Sequence, residues 1–219
     1  MAKLLVDGLD LLLSDETMQA EMTFLDELLR WNQQINLTSI KNREDAIEKH
    51  LIDSLLLMPH LRNAKKIIDL GSGGGLPGIP LAIALPSIQV ISVDSIGKKI
   101  NFQRHIKRLL SLDNLNILKS RAENLDQTTL EGESFDVVIA RAFAPLETIL
   151  EYAAPWLKPG GMVIAMKGPG GDSEMKAAEV MVKQNKFVAP EVIAYNLPFS
   201  HAERQLLLLK KIAEPISLE

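Results

Sequence analysis

The sequence contains no cysteine, and that absence removes whole classes of chemistry before any pattern is read. Disulfides, thiolate metal sites and every mechanism built on a cysteine nucleophile are excluded. No stretch supplies the ~18 uninterrupted apolar residues that a membrane-spanning helix needs. The apolar start, Met1 to Leu13, carries Asp7 and Asp10 and has no small-residue cleavage site, so it reads as a short helix rather than a signal peptide. Aromatic residues make up only 5% of the chain, and an excess of positive charge is missing: the formal net charge is -4. A nucleic-acid partner would therefore have to be held by a local basic patch and not by the overall field. What remains is 219 residues, 47% hydrophobic and 24% charged. That is the balance of a globular chain able to bury roughly 70% of its unfolded surface.

Two regions differ in their periodicity. Residues 1–62 read as a helical extension without a convincing strand. Ser14 sits where an N-cap belongs, Asp15 and Glu16 fill the first turn, and Met18, Met22, Leu25, Leu28 and Leu29 recur at helical spacing up to Trp31. A second helix is expected from about Arg43 to Met58, stopped by Pro59, with Ile47, Leu51, Leu55 and Met58 facing inward. Residues 63–219 alternate short apolar runs (66–70, 89–94, 114–118, 135–140, 162–167) with amphipathic stretches such as 98–110 and 145–156. Repeated βα units of this kind imply an α/β fold, a doubly wound, mostly parallel sheet with helices on both faces. After Lys183 the alternation breaks, and residues 187–195 and 205–211 are expected to pair antiparallel. The whole chain reads as one domain, 1–219.

The most informative segment is Lys66-Ile-Ile-Asp-Leu-Gly-Ser-Gly-Gly-Gly-Leu-Pro-Gly78. A β-branched strand ends at Asp69, four glycines follow within five residues, and Pro77 stands where a helix can begin. Such a turn brings bare backbone close to a ligand and aims a helix N-terminus at it. Residues 73–78 formally satisfy the dinucleotide fingerprint G-x-G-x-x-G, which keeps an NAD-dependent oxidoreductase among the readings. In the register starting at Gly71, directly after the strand, Leu76 occupies the place of the third glycine that a pyrophosphate requires. The alternative pattern, Asp69-x-Gly71-x-Gly73-x-Gly75, looks like motif I of methyltransferases that use S-adenosylmethionine, a cofactor without phosphate. Asp94 closes the next strand 23 residues beyond Gly71, where a carboxylate accepts hydrogen bonds from the ribose of either cofactor.

With these segments go Trp31-Asn-Gln-Gln-Ile-Asn-Leu-Thr-Ser39, His50-Leu-Ile-Asp-Ser54, Lys98-Lys99 after Asp94, Arg121-Ala-Glu123, Ala140-Arg-Ala-Phe-Ala144 and Lys167-Gly168. Together they resemble, over nearly the whole length, the 16S ribosomal RNA guanine-N7 methyltransferases, also called glucose-inhibited division protein B. The resemblance implies a class I S-adenosylmethionine-dependent methyltransferase fold, a Rossmann-like core with an antiparallel C-terminal strand. Its implied activity is methyl transfer to N7 of a guanine in 16S ribosomal RNA, with the RNA or the small ribosomal subunit as partner. It also implies a cytoplasmic location, no membrane, no metal and a monomer. Asp69, Gly71, Gly73, Leu76 and Asp94 are then candidates for the cofactor site, Ala122 and Glu123 flank the adenine, and Arg141 borders the junction of cofactor and guanine. A methyltransferase acting on a small molecule or a protein remains the alternative.

For RNA contact the candidates are Lys98 and Lys99 beside the cofactor strand, Lys41 and Arg43 between the N-terminal helices, Lys167 and Arg204. On the helix after Asp94, Phe102, Ile106, Leu109 and Leu110 make one face, and Arg104, His105, Lys107 and Arg108 fall opposite. His50 and Asp53, three residues apart, share a helix face without a third ligand in view, so His50 reads as a polar contact at the cleft rim rather than a metal ligand. Trp31 and Asn36 read as interhelical packing and a cap.

Overall fold

The runs of alternating and β-branched apolar residues become the strands of a seven-stranded sheet in the computed structural model, which describes residues 2–6, 9–126, 130 and 132–213. Its order is β5-β4-β3-β6-β7-β9-β8, with β3 Lys66–Leu70, β4 Gln89–Asp94, β5 Leu115–Lys119, β6 Phe135–Arg141, β7 Leu157–Lys167, β8 Glu191–Asn196 and β9 Glu203–Lys210. Strands β3 to β7 run parallel, whereas β9 lies antiparallel between β7 and β8. Alternate residues divide between two apolar clusters. Ile67, Val90, Val137 and Ile164 face α4 (Gly78–Ala84) and α5 (Gly97–Leu109). Ile68, Ile91, Val138 and Val163 face α6 (Leu146–Ala153) and α7 (Gly171–Gln184). A sheet buried on both faces is what near-continuous apolar strands require. Because β4 and β6 lie on opposite sides of β3, the strand order reverses there and opens a crevice at the carboxyl ends.

Helix α1 (Asp15–Ile35) begins as expected: the Ser14 hydroxyl accepts from the Thr17 N–H at 3.1 Å, with Asp15 and Glu16 in the first turn. It buries Phe24, Leu25 and Leu28 in the cluster on the α4–α5 side. It ends at Asn36, whose φ of 48° marks a left-handed cap. Trp31 packs against the ring of Phe102 at 5.5 Å and of His105 at 5.1 Å. Both residues therefore serve the packing and capping read from the sequence.

Several expectations are corrected. Residues 2–6 and 9–13 are not a helix: β1 (Ala2–Val6) pairs antiparallel with β2 (Leu9–Leu13), while Met1, Asp7 and Gly8 of the expected helix lie outside the described residues. Two short apolar runs around Asp7-Gly8, a dipeptide favoured in hairpins, carry that signal, and so short a helix would be marginal in isolation. The helix expected over 43–58 is composite. It starts as α2 (Arg43–Ala46), continues as a π-helical segment over Ile47–Ile52 and closes as α3 (Asp53–Leu55). Pro59 lies within a following 3-10 turn, Met58–Leu61. On α5, Leu109 is exposed rather than inward-facing, and His105 turns to α1 to meet Glu27 at 2.6 Å. β8 starts at Glu191, and Phe187 makes only an isolated bridge with Lys211.

Candidate active site

The glycine loop leaves β3 and is fixed by its neighbours. The N–H groups of Gly71 and Ser72 both donate to the Val93 carbonyl of β4 at 3.0 Å. Gly71 has φ +71°, and a Cβ there would come 2.2 Å from the Phe143 ring, so only glycine leaves both in place. Behind the loop, the buried Gln103 amide of α5 donates to Ser72 Oγ at 2.8 Å and to the Gly73 carbonyl at 2.9 Å, and accepts from Ser92 Oγ at 2.7 Å. From the other side, Leu28 and Leu37 press on Gly74. Leu37 is held there because the buried Asn32 carboxamide accepts from the Leu37 and Thr38 N–H groups at 2.7 and 2.9 Å. Sequence reasoning missed Gln103 and Asn32. The available signal was a long amide among inward-facing apolar positions of a helix.

A cavity of about 290 Å³ opens where the sheet order reverses. Gly71, Asp94, Ala122 and Glu123 line it, joined by Lys99 and by Ile96 and Phe143, which the sequence reading did not include. Asp94 is oriented by two backbone donors, Gly73 N to Oδ2 at 2.9 Å and Ile96 N to Oδ1 at 2.8 Å. Its remaining lone pairs face the cavity it lines. Lys99 lies across from it, Nζ 3.9 Å from Asp94 Oδ2. Lys99 thus lines the cleft on the side of Asp94.

Three other candidates stand behind the wall. Leu76 packs in the apolar cluster under α1. Gly73 serves Asp94 through its N–H. Asp69 is wholly buried; its Oδ2 accepts from the Gly78 N–H at 2.9 Å, and its Oδ1 has no partner. A Cβ at position 78 would meet that carboxylate at 2.8 Å, so glycine there lets α4 start against Asp69. Burial pushes the Asp69 carboxyl up to about 7, against the pull of the Gly78 N–H and the more distant Arg141 charge.

Arg141 does not pair with Asp69 or Asp94 and does not line the cavity. Its Nη2 donates to the Lys49 carbonyl at 2.7 Å and to His50 Nδ1 at 3.2 Å, and Nη1 lies 3.4 Å from Asp53 Oδ2. Since a guanidinium only donates, His50 Nδ1 accepts, and the neutral ring donates from Nε2 to Thr38 Oγ1 at 2.8 Å. The 3.1 Å approach of Nδ1 to the Lys49 carbonyl would need the opposite tautomer. It yields to the arginine contact, because burial and then the Arg141 charge hold the imidazole down to about 4. Asp53 also accepts from Tyr195 Oη at 2.7 Å. Arg141 thereby ties the carboxyl end of β6 to the π-helical segment, which suits that segment's wider helical gauge, a frequent companion of functional sites.

The other basic candidates divide. Lys98 and Lys41 are exposed. Arg43 pairs with Asp26 of α1 at 2.9 Å. Lys167 pairs with Glu174 at 2.6 Å and donates to the Ala144 carbonyl. Arg204 lies 4.0 Å from Asp53. Among the described residues no cluster of three or more metal-ligating side chains occurs, and no helix is long and apolar enough to cross a membrane.

Known proteins resemble this chain in sequence and in fold. Residues 17–208 match the family GidB, rRNA small subunit methyltransferase G. The chain is 47% identical over 188 residues to the ribosomal RNA small subunit methyltransferase G of Syntrophotalea carbinolica, covering 86% of each chain. It is 39% identical over 215 residues to that of Geotalea uraniireducens, covering 97% of each. Among solved structures, an O-methyltransferase from Bacillus cereus in complex with SAH superimposes with a TM-score of 0.61. That likeness spans 86% of this chain and 90% of that one at 16% identity, and shows the shared fold of the class I methyltransferases.

Proposed function

This chain belongs to the rRNA small subunit methyltransferase G family, and from that premise we propose that it transfers a methyl group from S-adenosylmethionine to N7 of a guanine in 16S ribosomal RNA. The observation that carries the cofactor half is Asp94, oriented by the Gly73 and Ile96 N–H groups and lining the cleft together with Gly71. A carboxylate so held accepts from ribose hydroxyls. Ala122 and Glu123 border the place of the adenine, with Glu123 able to accept from its amino group. Gly71, kept bare against Phe143, leaves room for the rest of the molecule. Donor set and cavity fit the cofactor.

S-adenosylmethionine, held by Gly71, Asp94, Ala122 and Glu123, would supply a methyl group activated by its sulfonium, the thioether being the group that leaves with the bonding electrons when the guanine N7 lone pair bonds to the methyl carbon. N7 carries no proton, so no residue of this chain has to remove one, and the absence of cysteine costs nothing. The protein's part is alignment, which can contribute several kcal/mol. In this reading Arg141 is a positioning residue: it holds the π-helical segment and its His50 at the rim of β6 and leaves the reacting atoms alone. Lys98 and Lys41 are the phosphate contacts of first choice, and Lys99 acts on the cofactor side. Residues 1–62 act with 63–219 as one unit, because α1 supports the glycine loop through Leu28. We read the enzyme as a cytoplasmic monomer that needs no metal, since direct displacement calls for neither a base nor a Lewis acid.

The test is transfer of labelled methyl from S-adenosylmethionine to small ribosomal subunits lacking the modification, with nucleoside analysis of the digested RNA. Label in 7-methylguanosine at one position is expected. Cofactor binding without any RNA label would leave the methyltransferase fold standing and overturn the substrate.

A further inference from the structure

The turn between β8 and β9 holds an aromatic ring in solvent. Phe199 is 68% exposed. Among the described residues the other exposed large apolar side chains are aliphatic: Ile96, Leu109, Val180, Val188 and Ile212. Yet the backbone beneath Phe199 is firmly held. Glu48, only 2% exposed on the π-helical segment, accepts through Oε1 from the N–H groups of both Phe199 and Ser200, at 2.5 and 2.8 Å. Leu197 is fully buried and closes the turn twice, its N–H donating to the Ala202 carbonyl and its own carbonyl accepting from His201 N–H, each at 3.1 Å. A buried carboxylate engaged by two loop amides fixes where the ring stands while leaving its face free.

That place is the substrate side of the sheet. Asn196 pairs with Glu203 and Lys167 with Gln205, so the turn lies at the same edge as the carboxyl ends of the parallel strands. Arg204, at the start of β9, follows the turn. The segment that carries Glu48 is the one Arg141 grips through Lys49 and His50. Strand β8 is four strand intervals from β3, about 19 Å at ~4.8 Å per interval. A base resting on Phe199 is therefore a neighbour of the target guanine and not the guanine itself.

We propose that Phe199 is a stacking platform for an unpaired base flanking the methylated guanine. The inference rests on the RNA reading above. Presenting N7 to a cleft at the strand ends takes the guanine out of its stack and strips its neighbours of a partner; an aromatic face supplies one without regard to sequence. The residue acts on RNA binding and has no part in holding the cofactor.

The test uses the full chain with unmethylated small ribosomal subunits and compares F199A, F199L and F199Y. Stacking predicts that F199A and F199L raise KM for the subunit by roughly 5- to 150-fold, with kcat and S-adenosylhomocysteine affinity unchanged. F199Y, which keeps the ring, should stay within about 2-fold of the native protein. Unchanged cofactor affinity reports that each variant is folded. F199L behaving like the native protein would overturn the proposal in favour of a plain apolar contact, as a ribosomal protein would make. Three variants all matching the native protein would overturn any role. A native protein that methylates no RNA would bring down the function reading and this inference with it, whereas RNA methylation indifferent to position 199 sinks the inference alone.

Discussion

Replacing Gly71 by alanine tests the geometry of the cofactor loop most directly. Two separate costs arise. The backbone sits at φ +71°, where an L-residue loses roughly 1–2 kcal/mol. The new methyl would lie 2.2 Å from Phe143 Cδ2, so the ring has to move, and overpacking of this kind typically costs about 1–3 kcal/mol. Phe143 is half-buried, its ring 6.4 Å from that of Tyr152, and it can swing only by disturbing that contact. The sum is a loss of ~2–5 kcal/mol in stability, measured by urea denaturation, with weakened S-adenosylhomocysteine affinity by calorimetry. The two causes separate in a double-mutant cycle with F143A. That background removes the ring, so the double variant should be less damaged than the sum of singles by ~1–3 kcal/mol, leaving the backbone strain alone. Costs that add to within about 0.5 kcal/mol would refute the contact. A G71A protein as stable as the native one would refute the strain argument as well.

The raised Asp69 carboxyl, about 7 against an ordinary 3.8, stabilises the fold most at low pH, and this contribution is lost as pH rises from about 4 to about 7; three units correspond to ~4 kcal/mol at most. The depressed His50, about 4 against 6.5, acts with opposite sign: its contribution is present above pH 6.5 and lost as pH falls towards 4. D69N should therefore unmask a decline in stability of ~1.4 kcal/mol per unit below pH 6.5, read from denaturation midpoints across pH; a profile parallel to the native one would contradict this. D94N should weaken S-adenosylhomocysteine binding by at least about tenfold, since hydrogen bonds to a charged acceptor contribute ~1.5–3 kcal/mol each, and should cut the thermal shift at a fixed ligand concentration; an undiminished shift would remove Asp94 from the site. K98E should raise KM for the ribosomal substrate and flatten its salt dependence with cofactor affinity intact, whereas K99E should change cofactor affinity first; the reverse pattern would return Lys99 to the RNA surface.

The linear sequence determined the sheet and the cofactor loop because both rest on local patterns. Apolar runs of strand length alternating with amphipathic stretches lead to buried parallel strands whatever lies farther along the chain. Four glycines after a strand ending in Asp69 specify a turn that few other residues could follow, and Asp94 ends the next strand for the same local reason. The first thirteen residues and the second helix were less legible: short Leu-rich runs suit either helix or hairpin, and nothing in residues 47–52 announces a π-helical gauge. Only the tertiary structure decided the partners of the long polar side chains, because their reach exceeds what spacing along the chain constrains. It turned Arg141 away from the cleft to Asp53 and His50, brought Lys99 into the cleft, and set Gln103 and Asn32 behind the glycine loop. It also engaged Glu48 with a turn some 150 residues away. Burial forces each such group to find a partner, and which partner stands within reach is fixed by how the elements pack.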